Sequence, residues 1–467
     1  MLFLLVVGLA FCALPVTGAS MVKVKKLMAG AAKVTITPTV NVEDPYAHPV
    51  WMGGWGRRVA LGVHDDLYAR CIVVRSYNTV NGKGVTIAFV AVDLVGLFYT
   101  DVQEIRAMVS SSLKIDHIIV ASTHNHEGPD TLGLWGPDDF TSGVDPEYMA
   151  FVKLQVVNCI KTAVKGMEEA VLEVAHTTVP GIMANARDPG LVYPDLVVMR
   201  FVGGENKTIA TLLNFAGHPE VLDGPPYNYL ISADYLAYVY TYIEDRLGGV
   251  AVFFNGALGG MITPDVDGVF DGMETPGLPV NRTFEMAEEI GFRLASAAVD
   301  ALGSAEVCKN TNIIFEKATI DIPLENFNFR LLMSQPFPAI LNRDLYTNGE
   351  LDTSSMDISG WFGLPSGTMM MPLGEDLRTE VYVVKIGYIE IVTVPGELLP
   401  KLGHQLTEMM TGKYNVIIGL GNDELGYIIP FEDWDPAKYE ESMSVGRETG
   451  PIILGALQAL IQEVESQ

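Results

Sequence analysis

Residues 116–130 read Asp116-His117-Ile118-Ile119-Val120-Ala121-Ser122-Thr123-His124-Asn125-His126-Glu127-Gly128-Pro129-Asp130. The β-branched run at 118–121 predicts a buried strand, and Gly128-Pro129 breaks the chain soon after it. Between them stand His124 and His126. Alternate residues of an extended strand point to the same side, so the two imidazoles are expected to converge at the strand's end, as two ligands of a zinc or similar ion must. An HxH pair equally describes loop histidines bonded to backbone carbonyls, and its meaning depends on the rest of the chain.

On the N-terminal side, strands are predicted at 31–37, 70–77 and 85–92, with a helix at 102–113. On the C-terminal side come a helix at 148–167 and strands at 171–178, 196–201 and 208–215, then a helix at 235–247, a strand at 250–254 and a helix at 284–302. Two strand-like runs joined around Gly387 occupy 381–394, a helix opens at Pro395-Gly396-Glu397 and runs to 410, a strand covers 416–420, and a helix at 450–460 closes the series. This alternation predicts an α/β fold, a mixed β-sheet core flanked by helices, in one large domain without internal repeats. The glycine- and tryptophan-rich stretch 51–62 reads as a loop bordering a pocket. Residues 323–376, rich in Pro, Met, Asn and Ser, read as an irregular lid, with Met369-Met370-Met371 as core filler.

The 467 residues are 49% hydrophobic and 19% charged, the composition of a globular chain. The formal net charge of −27 lies wholly after residue 20, and no basic stripe compensates for it, which excludes a nucleic-acid partner. Residues 1–20 carry no charge and are almost continuously apolar to Val16, ending in small residues. They are expected to be a signal peptide or an N-terminal anchor preceding one domain at 21–467, so a secreted, cell-surface or periplasmic location is expected. Asn206-Lys207-Thr208 and Asn281-Arg282-Thr283 match the glycosylation pattern. Beyond Cys12 in the leader, Cys71, Cys159 and Cys308 form neither a disulfide framework nor a CxxC site, and each reads as a small buried residue.

One arrangement recurs: an apolar strand ends, and a polar residue sits in a Gly/Pro turn just beyond it. His124, His126, His218, Glu397 and Tyr427 all occupy such positions. Imidazoles, a carboxylate and a phenol together make a zinc shell with room for water. Plainer readings stand beside this one. His218 before Pro219 suits a turn, Glu397 suits the first turn of a helix, and Tyr427 suits packing. His404, seven residues past Glu397, would share its helix face and is a rival ligand. Asp265-Val266-Asp267-Gly268 with Asp271 and Glu274 lacks EF-hand spacing and reads as a solvated acidic loop. Gly419-Leu420-Gly421 lacks the third glycine of a dinucleotide loop.

In order along the chain, several pieces resemble the neutral/alkaline non-lysosomal ceramidase family. They are Gly30-Ala31-Ala32-Lys33-Val34-Thr35-Ile36-Thr37-Pro38, Thr123-His124-Asn125-His126-Glu127-Gly128-Pro129, Phe215-Ala216-Gly217-His218-Pro219, Ser232-Ala233-Asp234-Tyr235, Val394-Pro395-Gly396-Glu397, Gly426-Tyr427, and Tyr439-Glu440 with Gly450-Pro451. The resemblance covers the catalytic domain of that family and not its C-terminal β-sandwich. It implies one Zn2+ held by His124, His126, His218, Glu397 and Tyr427. Water activated by that metal would hydrolyse the amide of ceramide or a related lipid-like N-acyl substrate, reached from a membrane surface. It also implies that Arg187 steadies the oxyanion and that Thr263 meets the substrate. Thr263 stands where the family has serine, the neighbouring aspartate of its NxGDVSP-type loop is absent, and Glu127 replaces a small hydroxyl residue. A metal hydrolase for another amide or ester, and a non-catalytic surface protein binding lipid or glycan, are the alternatives.

Overall fold

A computed structural model of the chain describes residues 27–77, 84–262, 282–336 and 340–467. The apolar leader, Thr263, the acidic stretch 265–274 and Asn281 lie outside the described residues. The alternating and β-branched runs form three main sheets.

In the first sheet β1 (Met28–Thr35), β2 (Tyr68–Tyr77) and β3 (Gly84–Val92) are antiparallel neighbours. Helix α1 (Tyr99–Met108) then crosses to β4 (His117–Ser122), which pairs parallel to β3. Helix α2 (Pro146–Lys165) packs on β1 and β2. Asp145 caps it, accepting from the Glu147 and Tyr148 amides, and Pro146 fills a first-turn position that needs no N–H. Met149, Val152, Val156, Cys159, Ile160 and Ala163 form its buried stripe.

The second sheet repeats the plan. Here β5 (Val171–Thr178), β6 (Asp195–Val202) and β7 (Thr208–Phe215) are antiparallel, α3 (Tyr235–Leu247) crosses over, and β8 (Val250–Asn255) pairs parallel to β7. Helix α4 (Phe284–Leu302) lies on α3. A Cβ at Gly291 would stand 2.7 Å from the Tyr235 carbonyl oxygen, so only glycine permits that approach.

The third sheet repeats it again. It is built from β9 (Ile313–Pro323), which leads into helix α5 (Phe327–Leu332), then β10 (Asp376–Ile386) and β11 (Ile389–Thr393), all three strands antiparallel. A two-residue strand β12 (Glu397–Leu398) precedes the crossover helix α6 (Pro400–Met409), and β13 (Tyr414–Ile418) pairs parallel to β11. The short β14 (Tyr427–Ile428) pairs with β12, and helices α7 (Tyr439–Ser442) and α8 (Thr449–Glu465) follow.

Each sheet therefore ends in a strand–helix–strand unit, a threefold recurrence of topology where the sequence shows no repeat. Ile72, Phe89, Ile119, Met199, Leu212, Val252, Ile391 and Val416, drawn from all three sheets, form one buried apolar cluster. Each such side chain contributes about 1.5–3 kcal/mol by leaving water. At the carboxyl ends of the parallel strands, backbone polar groups need partners, and buried asparagines supply them. Asn214 donates its side-chain amide to the Ile417 carbonyl at 2.7 Å, and Asn422 donates its backbone N–H to Val120 O while its side-chain Oδ1 accepts from Val120 N–H. Carboxyl ends of parallel strands are where α/β sheets build sites.

Most predicted elements appear within a few residues of their expected bounds. Three differ. The helix expected over 102–113 ends at Met108, and a separate 3-10 turn covers Ser111–Leu113. The eleven-residue β9 was not anticipated, because its half-exposed faces blur the alternation. Glu397 lies in a strand and not in a helical first turn, since Pro400 starts α6 later. The 323–376 region is more ordered than a lid: Ser355–Asp357, Met369–Pro372 and Gln335–Pro336 form a small sheet. Met369 and Met371 fill its core with Ile358. Cys71, Cys159 and Cys308 are free and buried.

Candidate metal centre

Strand β4 stops at Ser122, and the next residues do not continue extended. His124 adopts φ 66°, a left-handed conformation uncommon outside glycine and characteristic of functional turns. Asn125 N–H donates to Leu94 O at 3.1 Å, which holds the turn against the chain leaving β3. The convergence of His124 and His126 thus comes from this turn and not from strand alternation. Their rings lie 4.7 Å apart, 73° between planes. His124 Nδ1 sits 2.7 Å from the Val95 carbonyl oxygen, which can only accept, so Nδ1 carries the proton and Nε2 is left with its lone pair.

His218 follows β7 by the same logic. Its backbone N–H and its Nδ1 both meet Met261 O, at 2.9 and 3.1 Å, which again leaves Nε2 to face the centre. Glu397 bridges the two: Oε2 lies 3.1 Å from His218 Nε2, and Oε1 lies 3.5 Å from His124 Nε2. Tyr427 stands opposite Glu397 in the β12–β14 ladder, and its hydroxyl helps to hold that carboxylate below the ordinary range.

His126 is held from outside. Glu220 Oε2 approaches its Nδ1 at 3.2 Å, off the hydrogen-bond direction, and neither ring nitrogen has a hydrogen-bond partner among the described residues. Trp55 meets the ring edge-on, and Arg58 donates to the His126 and Gly53 carbonyls. Gly54, at φ 94°, passes so close that a Cβ there would come within 2.5 Å of His126 Cγ. The 51–62 stretch therefore borders the site, as its composition indicates.

Burial governs the charges. It drives the His124 imidazole down to about 4 despite Glu397 beside it, and pushes His126 well below its ordinary value with help from the two other histidines. At His218 burial pulls the same way, but Glu220 and Glu397 together outweigh it and raise the imidazole to about 9. Burial alone would raise Glu397, yet His124, His218 and the Tyr427 hydroxyl bring it below the usual carboxylate range. Burial lifts Glu220 to about 8.

These residues fit a zinc-type ion. One ligand nitrogen from each of His124, His126 and His218 lies within 4.8 Å of the others. Two Nε2 atoms are held to a common point by carbonyls, the third imidazole is buried without a partner, and an ionised carboxylate stands between them. Nitrogen ligands with one carboxylate oxygen suit zinc.

His124, His126, Glu397 and Tyr427 also line a mostly apolar cavity, walled by Val95, Phe98, Leu132, Phe329, Met333 and Leu425 among others. Arg187 is not brought to it. Its guanidinium is shared between Glu440 and Glu441, at 2.9 and 2.6 Å, and the Asp433 carbonyl, so it fastens the segment that carries Tyr439 to the loop after the Ala184–Asn185 strand, which pairs with Met261–Ile262. His404 donates to Val192 O and lies tilted against Tyr193, ring centroids 5.0 Å apart, outside the cluster of the other three histidines. Sequence reasoning left Glu220, Arg58 and Asn255 without roles. Asn255 donates to Thr123 O and Gly217 O, both at 2.9 Å, and accepts from Gly217 N–H, which ties the two histidine loops together. Its position as the polar end of a buried strand was the available signal.

No protein-family model matches the sequence, and no curated protein matches it. Solved structures do match the shape. The neutral ceramidase from Pseudomonas aeruginosa superposes with a TM-score of 0.67 at 16% identity, covering 94% of this chain and 75% of that one. A ceramidase complexed with C2 gives the same score and identity, with 94% and 76% coverage. The chain has the fold of these enzymes.

Proposed function

We propose that the chain is a zinc-dependent hydrolase of the amide bond in ceramide or a related N-acyl lipid. The observation that carries this is the bridging of His124 and His218 by Glu397 at the wall of an apolar cavity. His124, His126, His218 and Glu397 would hold the ion, and Tyr427 completes or lines its shell. When bound, such an ion supplies a nucleophile at neutral pH and polarises the scissile carbonyl. The protein does the rest. Carbonyls of Val95 and Met261 hold Nδ1 of His124 and His218, so that Nε2 of each is the atom turned to the centre. The apolar wall takes the alkyl arms of the substrate and keeps bulk water from the reacting amide. Tyr427, close to Glu397, is placed to donate to the carbonyl oxygen as negative charge builds. Arg187, paired with Glu440 and Glu441, supports the wall through Tyr439, and Thr263 follows the Met261–Ile262 strand that anchors His218.

The deciding experiment measures fatty-acid release from ceramide and from other N-acyl lipids, with and without chelator, in wild type and His124→Ala. Chelator-sensitive release lost in the variant is the expected result. Stoichiometric zinc with no release from any amide or ester would leave the metal centre standing and overturn the hydrolase. Absence of both would leave a lipid- or glycan-binding protein on this fold.

A further inference from the structure

The cavity opens onto a patch of exposed aromatic side chains. Helix α5 serves both, since Phe329 lines the cavity and Leu331 packs on the core of the small sheet, while Phe327, 51% exposed, stands outside. Its ring lies 6.5 Å from that of Trp361, which is 60% exposed and is followed by the exposed Phe362. Across the opening Tyr439, 65% exposed, also lines the cavity, its ring 6.1 Å from that of Tyr427. Asn326 joins the two sides by donating to the Ser442 and Ser444 carbonyls. Phe431 extends the patch, exposed beside the guanidinium of Arg447, whose backbone N–H is held by Glu325.

The patch is rigidly built. Asp357 accepts from the N–H and hydroxyl of Ser359, from the Ser366 hydroxyl and from the Gly367 N–H. These bonds pin both ends of the segment that carries Trp361 and Phe362 on a 3-10 turn. Single exposed apolar residues need no account, but a fixed group of aromatics around one opening does. Such side chains suit the boundary between water and the acyl region of a lipid layer. Charge narrows the kind of layer. The formal net charge is −27, and the arginines beside the patch are engaged, Arg330 by the Pro372 and Gly374 carbonyls and Arg447 by the carbonyl and ring of Phe431. Anionic lipid is therefore repelled and not recruited. A substrate whose alkyl arms fill the cavity resides in a lipid layer, and the patch would set the opening against it.

We infer that Phe327, Trp361, Phe362, Phe431 and Tyr439 form a docking rim that seats the cavity opening on the surface of a zwitterionic lipid layer. This rests on the lipid-amide reading of the site.

The test is co-sedimentation of the full chain with phosphatidylcholine vesicles and with mixed phosphatidylcholine/phosphatidylserine vesicles, at low and high salt. Wild type is compared with the double variant Trp361→Ser, Phe362→Ser. Wild type should bind phosphatidylcholine equally at both salt concentrations, with no gain from phosphatidylserine. The double variant should bind on the order of tenfold more weakly or less still, with its thermal midpoint unchanged. Turnover of ceramide in vesicles should fall with it, while turnover of a short-chain N-acyl substrate dissolved as monomers should not. If the double variant does not fold, Phe327→Ser and Phe431→Ser decide singly: weaker binding in either supports the rim, and wild-type binding in both overturns it. No vesicle binding, binding only with phosphatidylserine, or a dimer that dissolves in the double variant also overturns it. Turnover without vesicle binding overturns the rim and keeps the hydrolase. Binding that depends on Trp361 and Phe362, with no turnover of either substrate, supports the rim and sinks the hydrolase.

Discussion

Glu397 and Tyr427 face one another across a two-residue parallel ladder, thirty positions apart in sequence, and the Tyr427 hydroxyl helps to hold the carboxylate in its ionised form. The ladder fixes the backbone on both sides, so the hydroxyl can be removed without disturbing the carboxylate's position. Tyr427→Phe should therefore keep the fold but weaken metal retention and turnover. A hydrogen bond to a charged group is worth about 1.5–3 kcal/mol, which corresponds to roughly 10- to 100-fold. Chelator competition and kcat measured side by side check this, and an unchanged metal affinity and kcat would remove Tyr427 from the centre.

Asn255 is the tie between two loops that each carry a histidine. Asn255→Ala leaves the Thr123 carbonyl and the Gly217 N–H without partners, with only the Tyr235 hydroxyl still on Gly217 O, and should cost about 3 kcal/mol in urea denaturation. Bound metal should fall in step, because His124 and His218 lose their common anchor. Asn255→Asp should be worse, since a carboxylate cannot donate to Thr123 O or Gly217 O.

At Gly54 the constraint is steric twice over. The backbone is left-handed, and a Cβ would overlap the His126 ring. Gly54→Ala should displace His126 and lower metal affinity by on the order of tenfold or more. A variant that binds metal as wild type does would show that His126 is not needed for the ion.

Asp93 gives a pH prediction away from the ligands. It is buried, accepts from Tyr68 N–H and the Tyr240 hydroxyl, and burial lifts its carboxyl from 3.8 to about 6. The folded protein therefore holds this proton more tightly than the unfolded chain. Stability from this group is full below pH 3.8 and is lost as pH rises through 6, an effect of about 3 kcal/mol. Asp93→Asn should flatten the stability profile between pH 4 and 6 relative to wild type. An identical slope in both proteins would show that Asp93 does not titrate in that window.

Much of this molecule is written in residue pattern. Runs such as 208–215 and 250–254 carry enough β-branched and aromatic side chains to specify strands, and the helical spacing at 235–247 and 284–302 specifies α3 and α4 with their observed bounds. The residue types of the centre were equally legible, because imidazole, carboxylate and phenol stood in turns after apolar strands. Local pattern determines these features because each depends on neighbours a few positions away.

The tertiary structure decided what depends on distant partners. Three sheets share one apolar centre, and that packing brings His124, His218 and Glu397 from three different sheets to within bonding reach. The left-handed turn at His124 is held by contacts with the chain leaving β3, and Glu397 is drawn into a strand by its pairing with Tyr427. Arg187 is taken up by Glu440 and Glu441, more than 250 residues away. Sequence alone settled which chemical groups stand at the strand ends. Long-range packing settled which of them meet, because hydrogen bonds and burial are set by what lies nearby in space.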